Sequence, residues 1–276
     1  MAKLVPVPSN AMVPDRDVGK LPVLECINLG ITFGGLKAVE KFNLTIGPSE
    51  IAGLIGPNGA GKTTVFNLLT KVYQPTSGTI LLNGEDTHSM NTIQVNRAGI
   101  ARTFQNIRLF GNLSVEDNVK VGMDHSLRYG MASSILRLPS YFREERAAHN
   151  RALELLELFD MQDMANVPAG SLPYGAQRRL EIVRALATGP SLLLLDEPAA
   201  GMNPSETAEL MENICKIRDT FRIAVLLIEH DMNLVMNVCE GICVLNFGRI
   251  IAKGSPEDIQ HNPAVIEAYL GKQKEA

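Results

Sequence analysis

The sequence predicts an α/β fold built around a parallel sheet, and three observations predict it. From residue 21 onward, short apolar runs alternate with longer helical patterns. The runs SLLLLDEP (191–198) and RIAVLLIEH (222–230) are apolar at nearly every central position, as strands buried on both faces require. A glycine-rich loop joins one apolar run directly to a helical pattern. A chain of 276 residues can bury a substantial core, and 45% hydrophobic with 20% charged residues excludes a disordered or collagen-like protein. The 26 Lys+Arg against 30 Asp+Glu leave a net charge of −4, which provides no electrostatic footprint for nucleic acid.

The first 20 residues, with Pro6, Pro8 and Pro14 and no continuous apolar core, predict an extended tail rather than a signal peptide. VLECINL (23–29), NLTI (43–46) and EIAGLI (50–55) read as strands. After Gly61 the pattern turns helical, with Val65, Phe66, Leu68 and Leu69 on one side. QPTSG is a turn, and TILLNG is a strand closed by the turn chemistry of Asn83-Gly84. Residues 112–172 lack strand alternation. Their stripe of Leu153, Leu155, Leu156, Leu158 and Phe159 predicts a helical subdomain inserted into the sheet domain. GICVLN and GRIIAKG form a hairpin around Asn246-Phe247-Gly248, and a final helix is expected from about 256 to 270, with Ser255 as N-cap and Pro256 at N1. The longest wholly apolar run, Ile223–Ile228, is far below the roughly 18 residues of a membrane span. Four cysteines suggest a reducing compartment. Cys239 and Cys243 could share a helix face and are expected to be core thiols rather than metal ligands.

Gly56-Pro57-Asn58-Gly59-Ala60-Gly61-Lys62-Thr63 fits GxxxxGK[ST] between a strand and a helix. Its glycines let successive backbone N–H groups point inward as a nest for phosphate oxygens, and the following helix adds its positive end. Lys62 supplies a point charge to the terminal phosphates and the Thr63 hydroxyl a hard oxygen for Mg²⁺. The bland alternative is a glycine-rich turn with a solvated lysine. Asp196 emerges at the carboxyl end of an apolar strand, where ligands of open α/β sheets bind, and is expected to hold Mg²⁺ through a water. Glu197, next to it, is placed to polarise an attacking water. By itself an Asp-Glu pair at a strand end is usually a solvated loop; beside a phosphate loop it is a catalytic candidate.

Three further pieces follow in a telling order: Gln105 in IARTFQNIRLF, the segment SLPYGAQRRLEIVRALA (171–187), and His230 closing IAVLLIEH. With them, residues 21–276 resemble an ATP-binding-cassette (ABC) ATPase subunit. The resemblance implies a RecA-like P-loop nucleotide-binding core, an antiparallel β subdomain and the inserted helical subdomain, with ATP and Mg²⁺ as cofactors. It implies that Phe33 stacks on adenine, that residues 56–63 and Thr64 hold the phosphates, and that Gln105 touches Mg²⁺ and the attacking water. His230 would contact the γ-phosphate. Tyr174, Gly175 and Ala176 would open a helix facing ATP on the opposite subunit. Core packing for Phe33 and His230, and a buried structural role for Gln105, are the alternatives. Two positions depart from the family pattern. Pro173 stands where a serine is commoner and removes its hydroxyl contact; Asn203 stands where an aspartate is commoner and loses the charge.

LPYGAQRRLEIVRAL, EPAAGMNPSET, LLIEHDM and GSPEDIQHNPAVIEAYLG are similar to the subfamily serving bacterial branched-chain amino-acid importers, specifically the longer of the paired ATPase subunits. That implies a peripheral protein on the cytoplasmic face of the inner membrane. Its partners would be permease subunits, a second ATPase subunit (homologous or identical) and, indirectly, a periplasmic binding protein. Arg108, Leu109 and the helical insert are candidates for the permease-facing groove. A transporter for another cargo, such as urea, other amino acids or a lipopolysaccharide, is an alternative. A nucleic-acid or ribosome-associated clamp is disfavoured by the single phosphate loop and the absence of a polybasic face.

Overall fold

A computed structural model describes residues 21–123 and 139–270. The expected tail over 1–20 lies outside the described residues, as does part of the helical segment.

Two sheets organise the chain. The first is antiparallel, in the order β2 (Leu36–Ile46), β1 (Leu24–Phe33), β4 (Ser77–Leu82), β5 (Glu85–Asp86). The second runs β10 (Arg249–Gly254), β9 (Gly241–Asn246), β3 (Ile51–Ile55), β8 (Ala224–Ile228), β7 (Leu192–Asp196), β6 (Ile100–Arg102). It is parallel except for its edge hairpin β9–β10. Strands β3, β7 and β8 are buried at every position. Their side chains alternate between two cores, as the two-residue strand period demands. Leu192 and Leu194 join the core under the antiparallel sheet and α1 (Lys62–Leu69). Leu193 and Leu195 join the core built with the helices on the other face.

Those helices are α3 (Val115–Gly122), α4 (Pro139–Glu157), α5 (Tyr174–Leu186), α6 (Pro204–Phe221) and α7 (Met232–Val238); α2 (Thr92–Arg97) precedes β6. Between β6 and α5 the described residues form helices α3 and α4 and two short 3₁₀ turns, with a single bridge between Ser114 and Pro168. Leu155, Leu156 and Phe159 are buried there.

Several elements differ from the sequence pattern. Strands β1 and β2 are longer than VLECINL and NLTI suggest, because register shifts along their pairing break the apolar alternation that marks a strand. The single C-terminal helix is two, α8 (Pro256–Gln260) and α9 (Pro263–Leu270). Pro263 has no N–H to continue the first helix but suits the start of the second. Cys239 and Cys243 are both buried but share no helix: α7 stops at Val238, and Cys243 sits on β9. Burial pushes the Cys243 thiol up to about 12, so it stays protonated and inert.

Candidate functional site

The carboxyl ends of β3, β7 and β8 lie side by side, so the loops that follow them converge. The loop after β3 depends on Gly56 (φ 152°): a Cβ there would lie 2.0 Å from the Leu245 carbonyl oxygen. Gly61, left-handed at φ 106°, caps α1. The β9–β10 turn seats the loop from below, with Gly248 donating its N–H to the Ala60 carbonyl. Lys62 curls back over the loop, its Nζ donating to the carbonyls of Gly56 (2.6 Å) and Pro57 (3.1 Å). Burial lowers its pKa, and the Glu197 and Asp196 carboxylates oppose that shift.

Residues Asn58–Thr64 line a cavity of about 220 Å³, which Glu197 and His230 close from the other side. Glu197 follows β7 in a left-handed conformation (φ 49°), held by its N–H to the Ile228 carbonyl. A non-glycine residue at that angle carries backbone strain, here spent on aiming a carboxylate into the cavity. One Glu197 oxygen accepts from Gln105 Nε2 (2.7 Å); the other lies 3.0 Å from His230 Nε2. Three side chains from three separate loops thus meet at one carboxylate.

Asp196 is buried and ion-paired to Arg102 on β6 at 2.6 Å. Arg102 also donates to Asn67 Oδ1 of α1 and lies against the rings of Phe66 and Phe104. Sequence reasoning missed Arg102, whose role depends on β6 and β7 being neighbours. It also missed Glu229: this buried carboxylate, its pKa raised by burial, accepts the N–H groups of Ala199 and His230 and ties the two loops flanking the cavity.

Phe33 and residues 174–176 do not line this cavity. Phe33 ends β1, exposed, with its ring edge-to-face on Tyr73 at 5.2 Å. Tyr174, Gly175 and Ala176 open α5, with Pro173 as a cap that has no side-chain hydrogen bond. This turn packs on the segment after Glu197: a Cβ on Gly175 would meet Glu206, and one on Gly201 would meet the Tyr174 ring. Asn203 caps α6, accepting from the Glu206 N–H while Glu206 accepts from the Asn203 N–H, so its amide is engaged within the chain.

The family described as "ABC transporter" matches residues 39–200, from the second strand through the acidic pair. The chain belongs to the ABC transporter family. Members of this family bind and hydrolyse ATP, and this chain is an ABC ATPase. A second family description, "Branched-chain amino acid ATP-binding cassette transporter", matches residues 249–275. The ABC chain is 49% identical over 251 residues to the high-affinity branched-chain amino acid transport ATP-binding protein LivG of Escherichia coli, covering 91% of this chain and 98% of that one. Identity to BraF of Pseudomonas aeruginosa, described in the same words, is 47% over the same shares. Among solved structures, the ADP conformation of MJ1267, an ATP-binding cassette of an ABC transporter, superposes with a TM-score of 0.79 at 26% identity. That match covers 92% of this chain and 100% of that one. No helix among the described residues is long and apolar enough to cross a membrane.

Proposed function

We propose that this chain is the ATP-hydrolysing subunit of a branched-chain amino-acid importer. The observation that carries the hydrolytic part is the convergence of Gln105 and His230 on the Glu197 carboxylate at the mouth of the phosphate-loop cavity. In this reading the loop amides and Lys62 neutralise the phosphate charge, and Phe33 supplies an aromatic face for adenine. Glu197 accepts the proton of the attacking water, and His230 stabilises charge developing on the transferred phosphoryl group. Thr63, Asp196 and Gln105 offer hard oxygen atoms, a donor set suited to Mg²⁺, which is commonly held by few protein oxygens together with substrate phosphates. When bound, Mg²⁺ would neutralise charge on the β- and γ-phosphate oxygens.

The turn at 174–176 lies outside this cavity, which favours its use on nucleotide held by a second subunit. Permease contact is best supported beside Arg102. Cavities of about 330 and 180 Å³ share that residue, and exposed Val72, Ile93, Phe110 and Val121 border them. Arg108 stacks over Phe104 at the same place, whereas Leu109 is partly buried against the core and offers little surface. Branched-chain amino acids as cargo rest on the relatives at 47–49% identity.

The deciding experiment compares the full chain with Glu197→Gln. The variant should retain MgATP binding by calorimetry while turnover falls roughly 10²–10⁴-fold. Turnover at the unmodified rate would remove Glu197 from the mechanism. Uptake of labelled leucine by the reconstituted transporter tests the cargo, and no stimulation on adding this subunit would reject it.

A further inference from the structure

Arg178 lies one turn into α5 and is fully buried, as is Glu181 on the next turn. The Arg178 guanidinium donates to three carbonyl oxygens on two other loops: Phe104, Gln105 (2.7 Å) and Glu197 (3.3 Å). It also pairs with one Glu181 oxygen at 3.2 Å. The second Glu181 oxygen accepts the N–H groups of Phe104 (3.3 Å) and Arg108 (3.4 Å). One buried ion pair therefore grips the backbone of both Gln105 and Glu197, the residues whose side chains meet over the cavity at 2.7 Å.

Stability alone is a poor reason for such a pair. Two desolvated charges are often replaceable by apolar side chains at no loss of stability. What an apolar pair cannot do is hold three carbonyls of different loops at set positions. The planar guanidinium fork can; a lysine ammonium, one point charge on a flexible stem, cannot. The same helix begins with the turn 174–176, two to four residues before Arg178.

We propose that the Arg178–Glu181 pair is a positioning device: it sets the reach of Gln105 and Glu197 and ties both to the start of α5. Through it, closure of the 174–176 turn on nucleotide in a second subunit bears on this chain's own hydrolytic carboxylate. The second half rests on the function proposed above, where that turn serves the opposite subunit.

The test uses the full chain with R178K and the double replacement R178M/E181L. For each, ATP affinity comes from calorimetry, kcat from phosphate release and folding from the melting temperature. Both variants should fold, bind ATP within about twofold of the unmodified chain and lose about tenfold or more in kcat, a loss of about 1.4 kcal/mol in transition-state stabilisation. A folded variant of either kind that keeps its kcat within about twofold overturns the proposal. So does a parallel fall of melting temperature, affinity and kcat, which would make the pair structural only. ATP-induced dimerisation of Glu197→Gln separates the two layers. If that variant stays monomeric while R178K still loses kcat alone, the link to a second subunit fails and the positioning role stands.

Discussion

Removing the guanidinium that faces Asp196 is the sharpest perturbation of the site. Arg102→Met keeps much of the side-chain volume between Phe66 and Phe104 but strands an Asp196 carboxylate whose side chain is only 6% exposed. Breaking a buried pair from one side costs roughly 3–5 kcal/mol, because the remaining charge has neither water nor counter-ion. Lys62, which also feels the Asp196 charge, offsets part of this and favours the lower end. At about 2–4 °C per kcal/mol for domains of comparable size, the melting temperature should fall by about 6–20 °C. Arg102→Met/Asp196→Asn should recover most of the loss, since no charge is then stranded. Magnesium with ADP should raise the melting temperature of the single variant more than that of the unmodified chain, because a cation beside Asp196 replaces the missing one. Thermal unfolding by circular dichroism reads all three. A fall of about 2 °C or less in the single variant, equivalent to about 1 kcal/mol, would show that Arg102 does not neutralise Asp196.

Three other outcomes can be checked independently. Pro173→Ser restores a hydroxyl at the start of α5; a charge-assisted bond of roughly 1.5–3 kcal/mol should tighten ATP-dependent dimerisation about 10–160-fold in the Glu197→Gln background. Sedimentation showing the same dimer affinity as with proline would count against the contact. Glu40 accepts from Lys37 and from Arg249 across the β2–β10 junction, which holds its carboxyl down at about 2 against an ordinary 4.5. A depressed carboxylate contributes stability that is complete above pH 4.5 and is lost as pH falls toward 2. The gap in melting temperature between the unmodified chain and Glu40→Gln should therefore narrow over that window, and a constant gap would refute the pairing. Arg108→Glu reverses the charge stacked on Phe104. ATP hydrolysis should persist while uptake by the assembled transporter is lost, and undiminished uptake would place the permease contact elsewhere.

Local chemistry was sufficient for the buried strands and the phosphate loop, but not for the helix break at Pro263 or the Asn203 cap. The strand–glycine loop–helix unit at 50–69 could be read directly, since phosphate binding by backbone amides needs those glycines at that spacing. The doubly apolar runs marked β7 and β8 as central strands because only a sheet covered on both faces tolerates them. Glu197 stood out beside Asp196 at the end of such a strand, whereas His230 gained its role from the resemblance to a family. Gln105 drew attention only through its resemblance to a family, its own surroundings being unremarkable.

Sequence pattern failed where a residue's meaning lies in a partner far along the chain. Arg102 reads as an ordinary cation until β6 is laid beside β7 and its charge meets Asp196, 94 residues away. Arg178 reads as one of three arginines on a helix; its i,i+3 partner Glu181 on an otherwise apolar face was the one available hint of burial. Asn203 is a different case: its capping partner Glu206 lies only three residues on, and the lost charge drew attention away from that local signal. A helix or loop motif records the propensities and spacing of its own residues. Which carboxylate stands opposite which guanidinium is decided by strand order and helix packing, and only the folded chain contains that information.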